Sequence, residues 1–249
     1  MTGDTSGAPA ERSSLEPPWW RERPTGARSR APLNRDAIVD AAVRIVDAEG
    51  VDALTIRRLG EELGTGAATL YWHISGKEEL GELVYDRIMG DVEVPEPDPE
   101  HWEEQIKTFA RSAYDVLRAH RDAVRLSLGR IPVGPNMLRV MEWNLALLRA
   151  AGIPDGPAGH FGDIFGRFLD ASVLEETTAP QTQPGTDDEA PDAGAQYLEM
   201  VREHFRTLPA DQFPNLVALA GSGMFEGTAE ERFEFGLDVL VRGLAAYAR

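Results

Sequence analysis

Apolar residues recur along this chain with the spacing of an α-helix. The first such segment has apolar residues at positions i, i+3, i+4, i+7 and i+8, namely Ile38, Ala41, Ala42, Ile45 and Val46. Asn34 precedes the segment and is a typical N-cap, and Gly50 follows it as a typical stop. The pattern therefore predicts a helix between these two residues.

Three shorter helices are predicted next: one from the N-cap Thr55 to Gly64, one over Ala67–Ile74, and one from Lys77 to Gly90. A proline-broken acidic stretch, VEVPEPDPE at residues 92–100, then predicts a domain boundary. Helical spacing returns beyond it and predicts six more helices, over Trp102–Leu117, Arg121–Leu128, Asn136–Ala151, Gly159–Glu176, Tyr197–Leu208 and Glu230–Tyr247.

No segment alternates with a period of two over a useful length, so we predict an all-α fold. Residues 177–193 contain four acids, three prolines and no base, and we expect a solvated loop there. Residues 1–33 are rich in Pro, Gly, Ser and Arg and predict a flexible arm. The predicted domains are therefore the arm 1–33, a domain over 34–91, and a second helical domain over 95–249.

Composition narrows the function classes. The absence of cysteine excludes disulfide scaffolds, cysteine-liganded zinc and thiol catalysis. No apolar run approaches the roughly 18 residues of a membrane helix, and no secretory signal begins the chain, so we expect a cytoplasmic protein without a membrane partner. The net charge of −17 argues against nonspecific nucleic-acid binding by the whole surface. A DNA partner would need a small local face.

The segment Thr55–Lys77, TIRRLGEELGTGAATLYWHISGK, fits a helix-turn-helix, in which the second helix enters the major groove of DNA. Leu70 and Ile74 are four residues apart and point into the small core. The residues placed to meet bases or phosphates are Thr69, Tyr71, Trp72 and His73 on the second helix, Arg57 and Arg58 on the preceding helix, and Lys77 at the start of the next.

These residues resemble the signature of the TetR family of transcriptional repressors, in particular its tetracycline-repressor branch. The match runs without gaps from Leu33 to about Asp91 and includes LTIRRLGEELG and ATLYWHISGKEEL. The resemblance implies that Arg57 reads a base. It also implies that Thr69, Tyr71, Trp72 and Lys77 hold the DNA backbone, and that His73 lies near a base or phosphate.

Two alanines distinguish this chain from the tetracycline repressor, which has Gln-Pro at the start of the recognition helix. Ala67 and Ala68 offer only methyl contacts, so we expect a different operator. Gly66 also replaces a common capping residue. The complete predicted DNA-binding set is Thr55, Arg57, Arg58, Ala67, Ala68, Thr69, Tyr71, Trp72, His73 and Lys77.

Residues 95–249 resemble, more weakly, the C-terminal domain of the tetracycline repressor. The landmarks are RDAVRLSLGRIP at 121–132 and LEETT at 174–178. The resemblance implies a ligand pocket in each subunit and dimerisation through two late helices, Gly159–Glu176 and Glu230–Tyr247. Carried over by position, the ligand-binding residues are Phe109, Ala113, Ser127, Val140, Trp143, Asn144, Gly162, Phe165 and Glu175.

The same carry-over argues against tetracycline and against a magnesium ion. Ser127 occupies the position of a histidine that helps hold the drug-bound metal in that relative, and Phe109 that of an asparagine that reads the drug. Glu175 matches the acidic position, but one carboxylate cannot complete such a site. The five histidines show no metal-ligand spacing, and we expect no metal and no cofactor.

Three other functions are dinucleotide binding, enzymatic catalysis, and small-molecule binding without DNA binding. GTGAAT at 64–69 imitates part of a dinucleotide-binding loop, but no hydrophobic strand precedes it. An enzyme is not expected, because no catalytic constellation is present. A helical protein that binds or sequesters a small molecule without binding DNA stays open, given the acidic balance of residues 35–90. The sequence favours a homodimeric repressor that an amphipathic small molecule releases from a pseudo-palindromic double-stranded DNA operator.

Overall fold

The computed structural model describes residues 33–129, 131–178, 193–222 and 228–248, and within them every regular element is helical. The all-α prediction is confirmed. The ten α-helices of this described part are α1 (Arg35–Glu49), α2 (Ile56–Leu63), α3 (Ala67–Leu70), α4 (Lys77–Met89), α5 (Trp102–Ala119), α6 (Pro135–Ala150), α7 (Asp155–Thr178), α8 (Ala193–Arg206), α9 (Pro214–Ala220) and α10 (Ala229–Ala245). Three short 3-10 turns lie at Val51–Ala53, Pro99–His101 and Ala123–Leu126.

The first compact unit contains the described residues up to 94 together with 115–143. In it α1 packs against α2 and α4, α2 packs against α3, and the turn Ala123–Leu126 packs against α4. The aliphatic residues of the predicted helical faces form its core. They include eight leucines and isoleucines with no more than 2% of their surface exposed: Ile38, Ile45, Leu54, Leu59, Leu70, Ile74, Leu80 and Ile88.

Two predicted helix starts and one predicted helix end in this unit are confirmed by their hydrogen bonds. The Asn34 side chain accepts the N–H of Ala37 at 2.8 Å, and Thr55 accepts the N–H of Arg58 at 3.1 Å. Each side chain satisfies a backbone donor that the first turn of a helix leaves free. Gly50 follows α1 with φ of 86°, and its N–H donates to the carbonyl of Val46.

The second unit contains 95–114 and the described residues from 144 onward, and aromatic stacking dominates its core. The Phe233 ring of α10 lies between Tyr114 of α5 and Phe168 of α7, with ring centroids 4.2 and 5.4 Å away. α7 and α10 approach closely at Gly236, where a Cβ would lie 2.5 Å from the Phe168 ring. Glycine at 236 therefore permits the crossing of the two helices.

Ion pairs on the rim of this core join α5 to α10. The Arg111 guanidinium donates to both carboxylate oxygens of Glu234 at 2.6 and 2.8 Å, and Lys107 donates to Asp238 at 2.9 Å. Arg111 lowers the pKa of the Glu234 carboxyl. Hydrogen bonding to Lys107 lowers the pKa of Asp238 in the same way.

Several predicted boundaries were wrong. The helix expected over Arg121–Leu128 is only a short 3-10 turn, because Asp122 takes a left-handed φ of 58° at one end and Gly129 a φ of 76° at the other. The third helix ends at Leu70 rather than Ile74 and continues as turns. The seven-residue helix α9, which begins at Pro214, was not predicted.

The predicted arm lies outside the described residues except for Leu33, and the loop predicted at 177–193 does so for residues 179–192. Within the part of the chain that is described, no helix combines the length and apolarity needed to cross a membrane.

Candidate nucleic-acid interface and effector-binding residues

A tight helix-turn-helix forms in the first unit because the chain reverses at glycines between α2 and α3. A Cβ on Gly60 would lie 2.8 Å from the carbonyl oxygen of Thr65, so the turn closes against bare backbone. Gly64 ends α2 in the left-handed conformation, with φ of 60°. α3 begins at Ala67, and its N-cap residue, Gly66, supplies no capping side chain. This second helix of the motif, α3, is four residues long.

Two large aromatic side chains stand exposed beside this helix. Tyr71 is 56% exposed and Trp72 is 70% exposed, whereas Leu70 and Ile74 are buried beneath them. Burial of aromatic surface is favourable, so two adjacent exposed rings make this surface a candidate binding face. The sequence predicted this division from the four-residue spacing of Leu70 and Ile74.

The other predicted DNA-binding residues flank the same turn. Those exposed to solvent are Thr55, Arg57, Ala67, Ala68, Thr69 and Lys77, and His73 is half-buried. Arg57 has 90% of its side chain exposed, and its Nε lies 3.5 Å from the carboxylate of Glu61 one helical turn along. Lys77 is the first residue of α4, where the free backbone N–H groups of the helix start also favour an anion.

Arg58 has a different environment from Arg57. Its guanidinium donates to Glu49 at the end of α1 at 2.6 and 2.9 Å, and to Glu62 of α2 at 3.0 Å. These hydrogen bonds raise the pKa of Arg58 further above its usual range, and they lower the pKa of the Glu49 carboxyl. Arg58 therefore links α2 to the end of α1 through these ion pairs. The sequence could not reveal this, because Glu49 lies nine residues away in another helix.

The predicted effector-binding residues divide between the two units. Six lie in the second unit, namely Phe109, Ala113, Asn144, Gly162, Phe165 and Glu175, and three lie in the first, namely Ser127, Val140 and Trp143. Within the second unit, Phe109 and Phe165 are buried with ring centroids 6.0 Å apart, and Phe161 stacks on Phe165 at 5.8 Å. Glu175 is instead exposed and lies 3.4 Å from Arg232.

Ser127 in the first unit borders a narrow cleft whose accessible volume is only about 20 Å³. Its hydroxyl donates to the carbonyl of Val124, and the side chain is buried. The remaining lining comes from α4 and from the segment before α6, namely Glu82, Tyr85, Asp86, Leu126, Ile131, Pro132 and Val133. Glu82, Tyr85 and Asp86 have no distinguishing signal in the sequence, because their positions are those of an ordinary packed helix.

Comparison with known proteins assigns both parts of the chain. Residues 38–84 match the model described as "Bacterial regulatory proteins, tetR family", and residues 94–248 match "Tetracyclin repressor-like, C-terminal domain". An HTH-type transcriptional regulator of Saccharopolyspora erythraea is 32% identical over 92% of either chain. The HTH-type transcriptional repressor DrrR1 of Streptomyces coeruleorubidus is 31% identical over 97% of this chain and 88% of its own.

A solved structure extends the likeness to three dimensions. The TetR family protein ActR of Streptomyces coelicolor, crystallised in complex with actinorhodin, superposes with a TM-score of 0.79 and 40% sequence identity. The match covers 88% of this chain and 98% of that one.

The helix-turn-helix and the helical second part define a DNA-binding transcriptional regulator, and the chain belongs to the TetR family. The predicted family and regulatory function are confirmed, and the regulators among its relatives support the prediction of a non-enzymatic protein.

Proposed function

We propose that this protein is a homodimeric repressor that a small amphipathic molecule releases from a pseudo-palindromic operator. The proposed domains are the arm 1–33, the reading head 34–91 and the effector-binding and dimerisation domain 95–249. The observation that carries the proposal is the exposed pair Tyr71 and Trp72 beside a short recognition helix. Leu70 and Ile74 beneath them are fully buried in the core of the first unit. A second copy would bring another recognition helix to a half-site about one helical turn of DNA away.

The dimer is supported by apolar surface on the two late helices. Ile164 of α7 and Phe235 and Val239 of α10 are exposed in the single chain, Phe235 to 73%. Phe235 and Val239 are four residues apart and therefore lie on one face of α10. In a double variant Phe235→Arg, Val239→Arg, light scattering should report a monomer where the wild type gives a dimer. A charge-matched single variant, Glu230→Arg, changes an exposed residue about 140° around the helix from Phe235 and should leave the mass unchanged.

The effector proposal draws on chemistry and on relatives. Buried Phe109 and Phe165 offer apolar ring surface, and Asn144 offers a buried amide in the same unit. ActR was crystallised with actinorhodin, and actinorhodin is therefore the first probe for release of bound DNA. Tetracycline with magnesium is the second probe, and we expect no release by it because Ser127 and Phe109 replace the residues that would hold it.

Selection from a random pool of duplex DNA at two salt concentrations tests the function directly. We expect the full-length protein to enrich a pseudo-palindrome, with weaker binding at the higher salt concentration. Absence of enrichment at both salt concentrations, in protein shown to be free of bound ligand, would contradict the repressor. It would favour a protein that sequesters small molecules.

Two single variants separate base reading from backbone contact. Lys77→Ala should weaken binding to the selected operator and to scrambled DNA by a similar factor, because a phosphate contact carries no sequence information. Arg57→Ala should also reduce the ratio between the two affinities, by roughly 5- to 150-fold for a loss of about 1–3 kcal/mol of base discrimination. An unchanged ratio in Arg57→Ala would refute the assignment of Arg57 as a base reader.

A further inference from the structure

A buried carboxylate joins α4, the last helix of the reading head, to the first turn of α6. Asp86 lies in the last third of α4, and only 5% of its surface is exposed. Its carboxylate accepts the backbone N–H of Asn136 at 3.1 Å and that of Met137 at 3.0 Å. The Asn136 amide donates back to the Asp86 carboxylate at 3.1 Å and to the Asp86 carbonyl oxygen at 2.9 Å.

α6 depends on this contact because its own sequence provides no cap. The residue before the helix is Gly134, which has no side chain, and the first residue is Pro135, which has no N–H. The next two N–H groups belong to Asn136 and Met137, and a helix start leaves such donors without intrahelical partners. Asp86 therefore supplies from another helix the acceptor that an N-cap side chain normally supplies.

Neighbouring residues fit around the contact. A Cβ on Gly90 would lie 3.1 Å from the Asn136 amide nitrogen, so glycine leaves room for that side chain. Arg139, one turn into α6, donates to the carbonyl oxygen of Val92 at 3.2 Å. Burial raises the pKa of Asp86, while the hydrogen bonds from Met137 and Asn136 and the charge of Arg139 counteract that rise. The contact is thus built from both helices and the chain after α4.

Its position connects two proposed sites. Lys77, the proposed phosphate contact, begins α4, and Asp86 lies nine residues on, about 14 Å along the helix axis. Val140 and Trp143, two proposed effector contacts, lie one and two turns beyond Asn136 on α6, and both are buried. A shift of the first turn of α6 would thus act on α4 through hydrogen bonds that have narrow limits of distance and angle.

We infer that the contact of Asp86 with Asn136 and Met137 is a latch that couples effector occupancy to the position of the reading head. The inference rests on the proposed function and assigns Asp86 as a positioning residue of its regulation. The latched arrangement is the DNA-binding state, and an effector that displaces the start of α6 opens the latch. Because coupling is reciprocal, bound operator must in turn stabilise the latched state.

Amide hydrogen exchange on the full-length protein tests the latch without a known effector. The readout is the ratio of exchange rates at Arg139, Val140 and Trp143 in the free protein and in its complex with the selected operator duplex. In the wild type we expect operator to slow exchange there by roughly 5- to 150-fold, the usual range of allosteric coupling. In Asp86→Ala the ratio should fall close to one, even at duplex concentrations that saturate the variant.

Three comparisons make the test specific. Asp86→Asn keeps an oxygen that can accept the two N–H groups, and it should retain an intermediate ratio. Asp91→Asn removes the same charge from an exposed residue that pairs with Arg87, and it should behave as the wild type. Exchange at buried Ile45 of α1 should be alike in all four proteins, which distinguishes loss of coupling from unfolding.

The outcomes separate the two proposals. If Asp86→Ala keeps the wild-type ratio, or if operator leaves exchange in α6 of the wild type unchanged, the latch is refuted while the repressor stands. If the wild type binds no duplex in the preceding selection, the proposed function fails at that step, and the inferred coupling fails with it.

Discussion

Aromatic side chains are placed in opposite ways in the two units. In the reading head, Tyr71 and Trp72 project into solvent over an aliphatic core of fully buried Leu70 and Ile74. In the second unit, Tyr114 and Phe233 are buried, and they stack at 4.2 Å. Aromatic residues thus lie on the proposed recognition surface in one unit and in the packed core of the other. Substitutions should accordingly separate binding from stability.

The largest expected effect is on the stability of the second unit. Phe233→Ala removes a ring held between Tyr114 and Phe168 and leaves a cavity, so it should lower the free energy of unfolding by about 3–5 kcal/mol. Urea denaturation followed by circular dichroism measures the change. Tyr71→Ala is the matched control, since an exposed ring should cost less than about 0.5 kcal/mol. Equal losses in both variants would show that the comparison is wrong.

A smaller loss is expected where α7 and α10 approach. Gly236→Ala places a methyl group against the Phe168 ring and should destabilise the protein by about 1–3 kcal/mol. Gly159→Ala in α7 meets nothing within 4 Å and lies about 140° around the helix from Ile164, so it should stabilise the protein by up to about 1 kcal/mol through helix propensity. The two melting temperatures should therefore move in opposite directions, and a common direction would refute the close-packing argument.

In the reading head we expect the opposite result: a substitution that weakens DNA binding without lowering stability. Trp72→Ala should leave the urea midpoint within error of the wild type, because the ring is mostly exposed. Affinity for the selected operator should fall about tenfold, or about 1.4 kcal/mol, measured by fluorescence anisotropy at fixed salt. A Trp72→Ala protein that is unstable but binds DNA normally would reverse the roles assigned to the two aromatic groups.

The smallest expected effect is the pH dependence from the ion pairs around the second core. Arg111 lowers the pKa of Glu234, so the stabilisation by this pair is present above the ordinary value of 4.5 and is lost as pH falls through the lowered value. Both side chains are more than a third exposed, so we expect only about 0.5 kcal/mol. The measurement is the difference in unfolding free energy between wild type and Glu234→Gln at pH near 6 and near 3.5. A difference that does not shrink on acidification would contradict the assignment.

The sequence predicted those features that depend on residues close together in the chain. Helical spacing identified the aliphatic face of α1, and the Leu70 and Ile74 pair indicated that Tyr71 and Trp72 face outward. Contacts that depend on how helices cross could not be predicted. Asp86 and Asn136 are 50 residues apart, and nothing in either local pattern indicates that one caps the helix of the other. The same limit applied to Arg58, whose sequence context favoured DNA contact.

The partners of Arg58 change how the salt dependence of DNA binding should be read. A cation releases condensed counterions from DNA only to the extent that its charge is available to phosphate, and each neutralised phosphate contributes about 0.9 to the slope of log K against log[salt]. Arg58 already faces the carboxylates of Glu49 and Glu62. In a subunit that holds DNA as proposed, Arg58 should therefore contribute nothing to this slope. Arg58→Ala should leave the slope unchanged, whereas Lys77→Ala should reduce its magnitude by about 0.9.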